Sequence, residues 1–148
     1  MSGNHQPQAL APFSCTYSSH VPELLQKLNC SLAISTYQAG KLVFISALNE
    51  SKIVQLPRTF DKPMGIAQDH QNDKLALACK DEVIVFSNAK ELAKYYPRSP
   101  EKYDALYMPR VSYHTGNLDI HDLNFGQNNE LYGVNTLFSS IVKIDDNY

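Results

Sequence analysis

The sequence predicts an all-β protein of β-propeller-like build: repeated antiparallel meanders, an incomplete set of them, with short helical insertions. Three observations predict it. Short apolar runs recur along the chain with polar turns between them. A three-strand unit recurs, with Ile66 and Leu123 57 residues apart, Leu75 and Leu131 56, and Ile84 and Val142 58. The turn after the first strand is alike in both copies, DHQND in one and GQNNE in the other. A blade-sized repeat of ~40–50 residues plus an insertion accounts for such a spacing. One meander cannot bury both its faces, whereas sheets stacked face to face around an axis can. A β-sandwich or a generic meander is the competing architecture.

Each element follows in order. Residues 1–12 are polar with Pro7 and Pro12, and read as a flexible arm preceding one partial propeller-like domain over 13–148. Pro22 suits a first helical turn, Ser18 or Ser19 can cap it, and Leu24, Leu25 and Leu28 share a face, so a helix is expected over 21–29. Strands follow at 31–36, 41–46 and 52–56, with turns at Gln38-Ala39-Gly40 and Asn49-Glu50-Ser51. A second meander is expected at 65–68, 75–79 and 83–86. Its last two strands are nearly continuous apolar runs, which predicts burial on both faces. Asn88 with Glu91 resembles a capping box for a helix that stops before Pro97. Residues 97–117 carry Pro97, Pro100 and Pro109 and read as an irregular loop. A third meander is expected at 119–125, 131–134 and 141–144.

Composition excludes several function classes. With 148 residues and 43% apolar content, a real core is expected. A formal charge of −2 gives no electrostatic reason for a nucleic-acid or anionic-membrane partner. No apolar stretch approaches the ~20 residues of a membrane span. The start of the chain lacks a basic region followed by a long apolar run. Cys15, Cys30 and Cys79 form no CxxC pair, so a cytoplasmic protein with reduced, mostly buried thiols is expected. A propeller needs at least four blades. Two clear units and a third at 28–57 therefore predict either the N-terminal part of a longer protein or sheets closed against a partner.

Several segments carry a resemblance. They are Ser35-Thr36-Tyr37-Gln38-Ala39-Gly40-Lys41-Leu42, Pro63-Met64-Gly65, Tyr103-Asp104-Ala105 with Pro109-Arg110, His114-Thr115-Gly116, the DIHD run Asp119–Asp122, and Val134-Asn135-Thr136-Leu137-Phe138. The chain resembles a bacterial conserved-hypothetical, β-propeller-like family of unknown function. The resemblance covers nearly the whole chain and implies a fold and a longer parent protein, but no reaction. Pro63–Ala67 is also similar to the opening of a blade in NHL-type propellers.

The segment HTGNLDIHD is the richest in chemistry. Strand alternation would put Asp119 and His121 on one face and Asp122 on the other. Two carboxylates and an imidazole suit a divalent cation such as Ca²⁺, Mn²⁺ or Zn²⁺; turn capping and hydrogen bonds between sheets are the other reading. Tyr37 and Gln38 can meet a polar ligand or simply shape a hairpin turn, in which Gly40 supplies φ > 0. Asn135 stands where the sister unit has Cys79, as a ligand group or as a bond to a turn backbone. Arg58 and Arg110 can each clamp a carboxylate or phosphate, or form surface ion pairs. His114 is a further candidate. No GxSxG elbow, P-loop or GxGxxG motif is present.

Two functions follow. The first is a module that binds a protein or small-molecule ligand, with Tyr103, Tyr107, Met108 and Tyr113 of the 97–117 loop as contact surface. The alternative is a metal-dependent hydrolase or lyase using Asp119, His121, Asp122 and Asn135 in a central channel.

Overall fold

The computed structural model describes residues 14–97 and 99–146; the arm expected over 1–12 lies outside the described residues. The elements are α1 (Val21–Leu28), β1 (Leu32–Thr36), β2 (Lys41–Asn49), β3 (Lys52–Thr59), β4 (Ile66–Asp69), β5 (Lys74–Ala78), β6 (Glu82–Asn88), α2 (Lys90–Ala93), β7 (Tyr107–His114), β8 (Ile120–Phe125), β9 (Leu131–Asn135) and β10 (Ser140–Ile144). They form three open sheets. Sheet one is β1-β2-β3, sheet two β4-β5-β6-β7 and sheet three β8-β9-β10. The all-β antiparallel class read from the sequence is therefore the class observed. Among the described residues no helix is long and apolar enough to cross a membrane.

The chain divides into two compact units. One is built on the chain up to Ala33 with Val43–Pro57, the other on Ile34–Leu42 with Arg58 onward. In the first, α1 starts at Pro22 as expected, but its N-cap is His20 and no side chain caps it. Ser18 contributes its carbonyl to the Val21 N–H instead of its hydroxyl to the helix end. Asn29 closes the helix in the left-handed conformation, and its N–H bonds the last-turn carbonyls. Of the three leucines expected to face the core, only Leu25 is buried; Leu24 and Leu28 are exposed.

In the second unit, sheets two and three stack. Their shared core joins Ala67, Ala76, Ala78 and Val83 of sheet two to Ile120, Leu123, Leu131 and Ile144 of sheet three. Small residues on one face meet large aliphatics from the other. The near-continuous apolar run of β5 is buried on both faces, as its sequence predicts: Leu75, Ala76, Leu77 and Ala78 are all buried. On the second face, Leu77 pairs with Ile66 and Ile84, and Phe86 meets Phe60 edge to face.

Two expectations fail in this unit. Asn88 does not cap a helix. β6 runs on through it to pair with Tyr107, and its side-chain oxygen accepts the Leu106 N–H at 3.0 Å. Ala89 takes the N-cap position, so α2 has a single turn and ends at Ala93. The supposed 97–117 loop contains β7, the fourth strand of sheet two. It pairs along one side only, and an edge strand tolerates Pro109 because its missing N–H can face away from the ladder.

The thiols also depart from expectation, since Cys15 and Cys30 are exposed and only Cys79 is buried. Burial first, then the charges of Glu82 and Asp61, push the Cys79 thiol up to about 12 from an ordinary value of 9.0. The neutral thiol therefore favours the folded chain fully below pH 9, and that contribution is lost as pH rises toward 12. At pH 7.5 a maleimide should label two thiols in the native chain, and the third only at the rate of global unfolding. Three rapid adducts in the intact mass under native conditions would contradict this placement of Cys79.

Candidate functional site

One cleft is lined by residues of sheets two and three. It encloses about 380 Å³. Val85, Tyr113 and Phe125 supply apolar surface, and Lys74, Arg110, Lys143, Glu130 and Asp145 supply charge. Ser87, Asn129 and Asp146 also line it, so the cleft mixes polar and apolar surface and can hold a ligand that has both.

Arg110 reaches this cleft through a defect in the ladder. On β6, Val85 faces Val111 and the next residue, Phe86, faces Pro109, so Arg110 has no partner strand residue. Pro109 cannot donate to the ladder, and the chain accommodates it with one extra residue. A bulge re-aims the side chain it carries, and this one carries a guanidinium. No described residue forms a hydrogen bond or ion pair with it. Lys143 differs: its ammonium holds Glu130 at 3.1 Å and Asp145 at 3.2 Å. Lys143 and the Tyr132 hydroxyl together keep the Glu130 carboxyl below the usual carboxylate range, while both carboxylates raise Lys143. The cation left to meet an anionic ligand is thus Arg110, with Lys74 on the same wall.

The other sequence candidates lie outside this cleft. Tyr37 and Gln38 occupy the β1–β2 turn, where the Tyr37 carbonyl accepts the Gly40 N–H and Lys62 Nζ sits 5.4 Å from the Tyr37 ring. Gly40 has φ +61°, and a Cβ there would stand 2.9 Å from the Phe60 carbonyl oxygen, so glycine is required twice over. His114 ends β7 opposite Glu82 and is exposed. Asn135 is buried, and its Oδ1 accepts the Phe138 N–H at 3.1 Å, stapling the β9–β10 turn.

The expected alternation of Asp119, His121 and Asp122 is replaced by a second bulge. Ile120 faces Asn135 and Asp122 faces Val134, leaving His121 as the extra residue. His121 and Asp122 are consequently both exposed. Asp119 precedes the strand in the left-handed region, with φ +51°, and Thr136 Oγ1 donates to its carbonyl at 2.8 Å. His121 Nε2 approaches Asp119 Oδ2 at 3.4 Å, whereas Asp122 Oδ1 accepts the Leu123 N–H at 2.9 Å. Asp119 and His121 are brought together and Asp122 is not; no three His, Cys, Asp or Glu among the described residues form a metal-holding group.

Sequence reasoning selected Arg110 and His121 but missed why they matter, which is that each is the unpaired residue of a bulge. For Arg110 the signal was present: a proline inside the period-two pattern Tyr107-Met108-Pro109-Arg110-Val111-Ser112-Tyr113.

No curated protein and no solved structure matches the chain. Residues 19–148 match the model of a family described as a domain of unknown function, DUF4915. Because that match takes in every helix and strand described above, the chain belongs to the DUF4915 family.

Proposed function

We propose that this chain is a propeller-like binding module whose cleft between sheets two and three takes a small carboxylate-bearing ligand with an apolar body. The observation that carries the reading is the bulged Arg110, a guanidinium without a partner among the described residues, at a cleft lined by both charged and apolar side chains. Guanidinium and carboxylate match in geometry and can bond through two parallel N–H donors. Tyr113 and Phe125 would cover the apolar part. A metal-dependent hydrolase or lyase fits less well, since Asp119 and His121 supply two donors and Asp122 turns to a backbone N–H.

The test is thermal unfolding of the chain with acetate, benzoate, succinate or citrate added. A ligand at one hundred times its Kd stabilises by about 2.7 kcal/mol. At roughly 2–4 °C per kcal/mol, Tm should rise by about 5–10 °C with the best of the four. Arg110→Ala should abolish the rise and leave the ligand-free Tm near that of the native chain, because the side chain is exposed. No shift with any carboxylate, or an equal shift in Arg110→Ala, overturns the reading.

A further inference from the structure

We infer that the outward face of sheet three is a stacking surface for sheet one of a second copy of this chain. The inference rests on the stacked-sheet part of the proposed reading and is independent of the cleft and its ligand.

The observed interface defines what such a surface looks like. In sheet two, Ala78 and Val83 face each other across the ladder, and both are 0% exposed because sheet three covers them. Moving along the chain by the spacing read in the sequence reaches Val134 and Ile141. These also face each other across the ladder of sheet three. Val134 is 41% exposed and Ile141 76%. Leu137 and Phe138, in the turn that joins their strands, are exposed beside them. Strand alternation directs Leu131 and Gly133 to the covered side of β9 and Val134 to the other. One face of sheet three therefore stacks as sheet two stacks, and the other presents the corresponding apolar pair uncovered. The correspondence is local: Tyr132 and Lys143 take the places of Ala76 and Val85, so the patch is confined to the turn end of the hairpin.

The observed interface also defines the complement, a face of larger aliphatics such as Leu123, Leu131 and Ile144. Sheet one carries such residues uncovered. Val54 and Leu56 lie two apart on β3, so they share a face, and both are exposed; Leu32 of β1 is exposed as well. A contact between unlike faces is heterologous, so copies joined this way close into a ring or continue as an open assembly.

Sedimentation velocity on the full chain, without ligand, tests the inference. Over loading concentrations from about 10 to 500 µM, the range suited to a small weak interface, the mean mass should rise above that of the monomer. Ile141→Lys and Val54→Lys should each weaken self-association at least tenfold while Tm at low concentration stays within about 2 °C, since both side chains are exposed. Mixing the two variants should restore a 1:1 dimer, because each keeps the face the other has lost. A chain that stays monomeric throughout overturns the inference. So does association that either variant leaves intact, or a mixture that stays monomeric.

Discussion

Leu77→Ala should cost the chain about 3 kcal/mol of unfolding free energy, the largest loss expected from one side-chain truncation here. Leu77 is 0% exposed at the centre of β5, with Ile66 on one side and Ile84 on the other. Truncation removes apolar surface from the core and leaves a cavity. Paired strands on both sides hold the backbone in place, so the site cannot collapse to fill it. A domain of this size has only about 5–15 kcal/mol to lose, so the change should show as a Tm drop of roughly 6–12 °C. Leu92→Ala, on the exposed surface of α2, is the control and should fall within about 0.5 kcal/mol of the native chain. Urea unfolding followed by far-UV circular dichroism measures both. Equal midpoints for the two variants would mean that β5 is not the buried centre of sheet two.

That strand shows why part of the fold was legible. Leu75-Ala76-Leu77-Ala78 is apolar at every position, a pattern that only a strand covered on both faces, or a buried helix, sustains. Its shortness and the turn residues at each end decide for the strand. β7 was hidden for the opposite reason. Its pattern is interrupted by Pro109 and follows Pro97 and Pro100, and proline signals a loop unless the strand is known to lie at an edge. Edge position is a tertiary fact that no local window contains. The same holds for Asn88: its side chain can cap a helix or bond a distant N–H, and the arrival of Leu106 decides.

The candidate site was legible as a set of residue types and not as a geometry. Arg110 drew notice as a cation in an expected loop and His121 as an imidazole on an expected strand, and alternation was the only rule available for aiming the latter. Alternation fails at a bulge, which shifts every later residue to the other face. On β8 the slip leaves His121 and Asp122 both exposed, while Asp119 and His121 still meet and Asp122 turns to the Leu123 N–H. On β7 it leaves Arg110, at the cleft, without a facing residue on β6.

Gly65→Ala should destabilise the chain by about 2–3 kcal/mol, although the substitution adds one methyl group and the backbone is not in the left-handed region. A Cβ at Gly65 would stand 2.9 Å from both the Cα and the carbonyl carbon of Asp122 and 3.1 Å from the Leu123 nitrogen. These are backbone atoms, so no side-chain rotation relieves the overlap. Nor can the glycine retreat. Its carbonyl accepts the Ala78 N–H at 2.9 Å, and the Met64 N–H next to it donates to the Ala78 carbonyl at 2.9 Å. The stabilisation that alanine brings by restricting the unfolded chain is at most about 1 kcal/mol and does not offset the overlap. The sheets must therefore part where β8 passes, beside the second bulge. Hydrogen exchange should then rise first at Leu123 and along β8. If Gly65→Ala instead unfolds within about 0.5 kcal/mol of the native chain, sheets two and three do not approach as closely as described, and the stacking that supports both the ligand cleft and the second-copy interface loses its foundation.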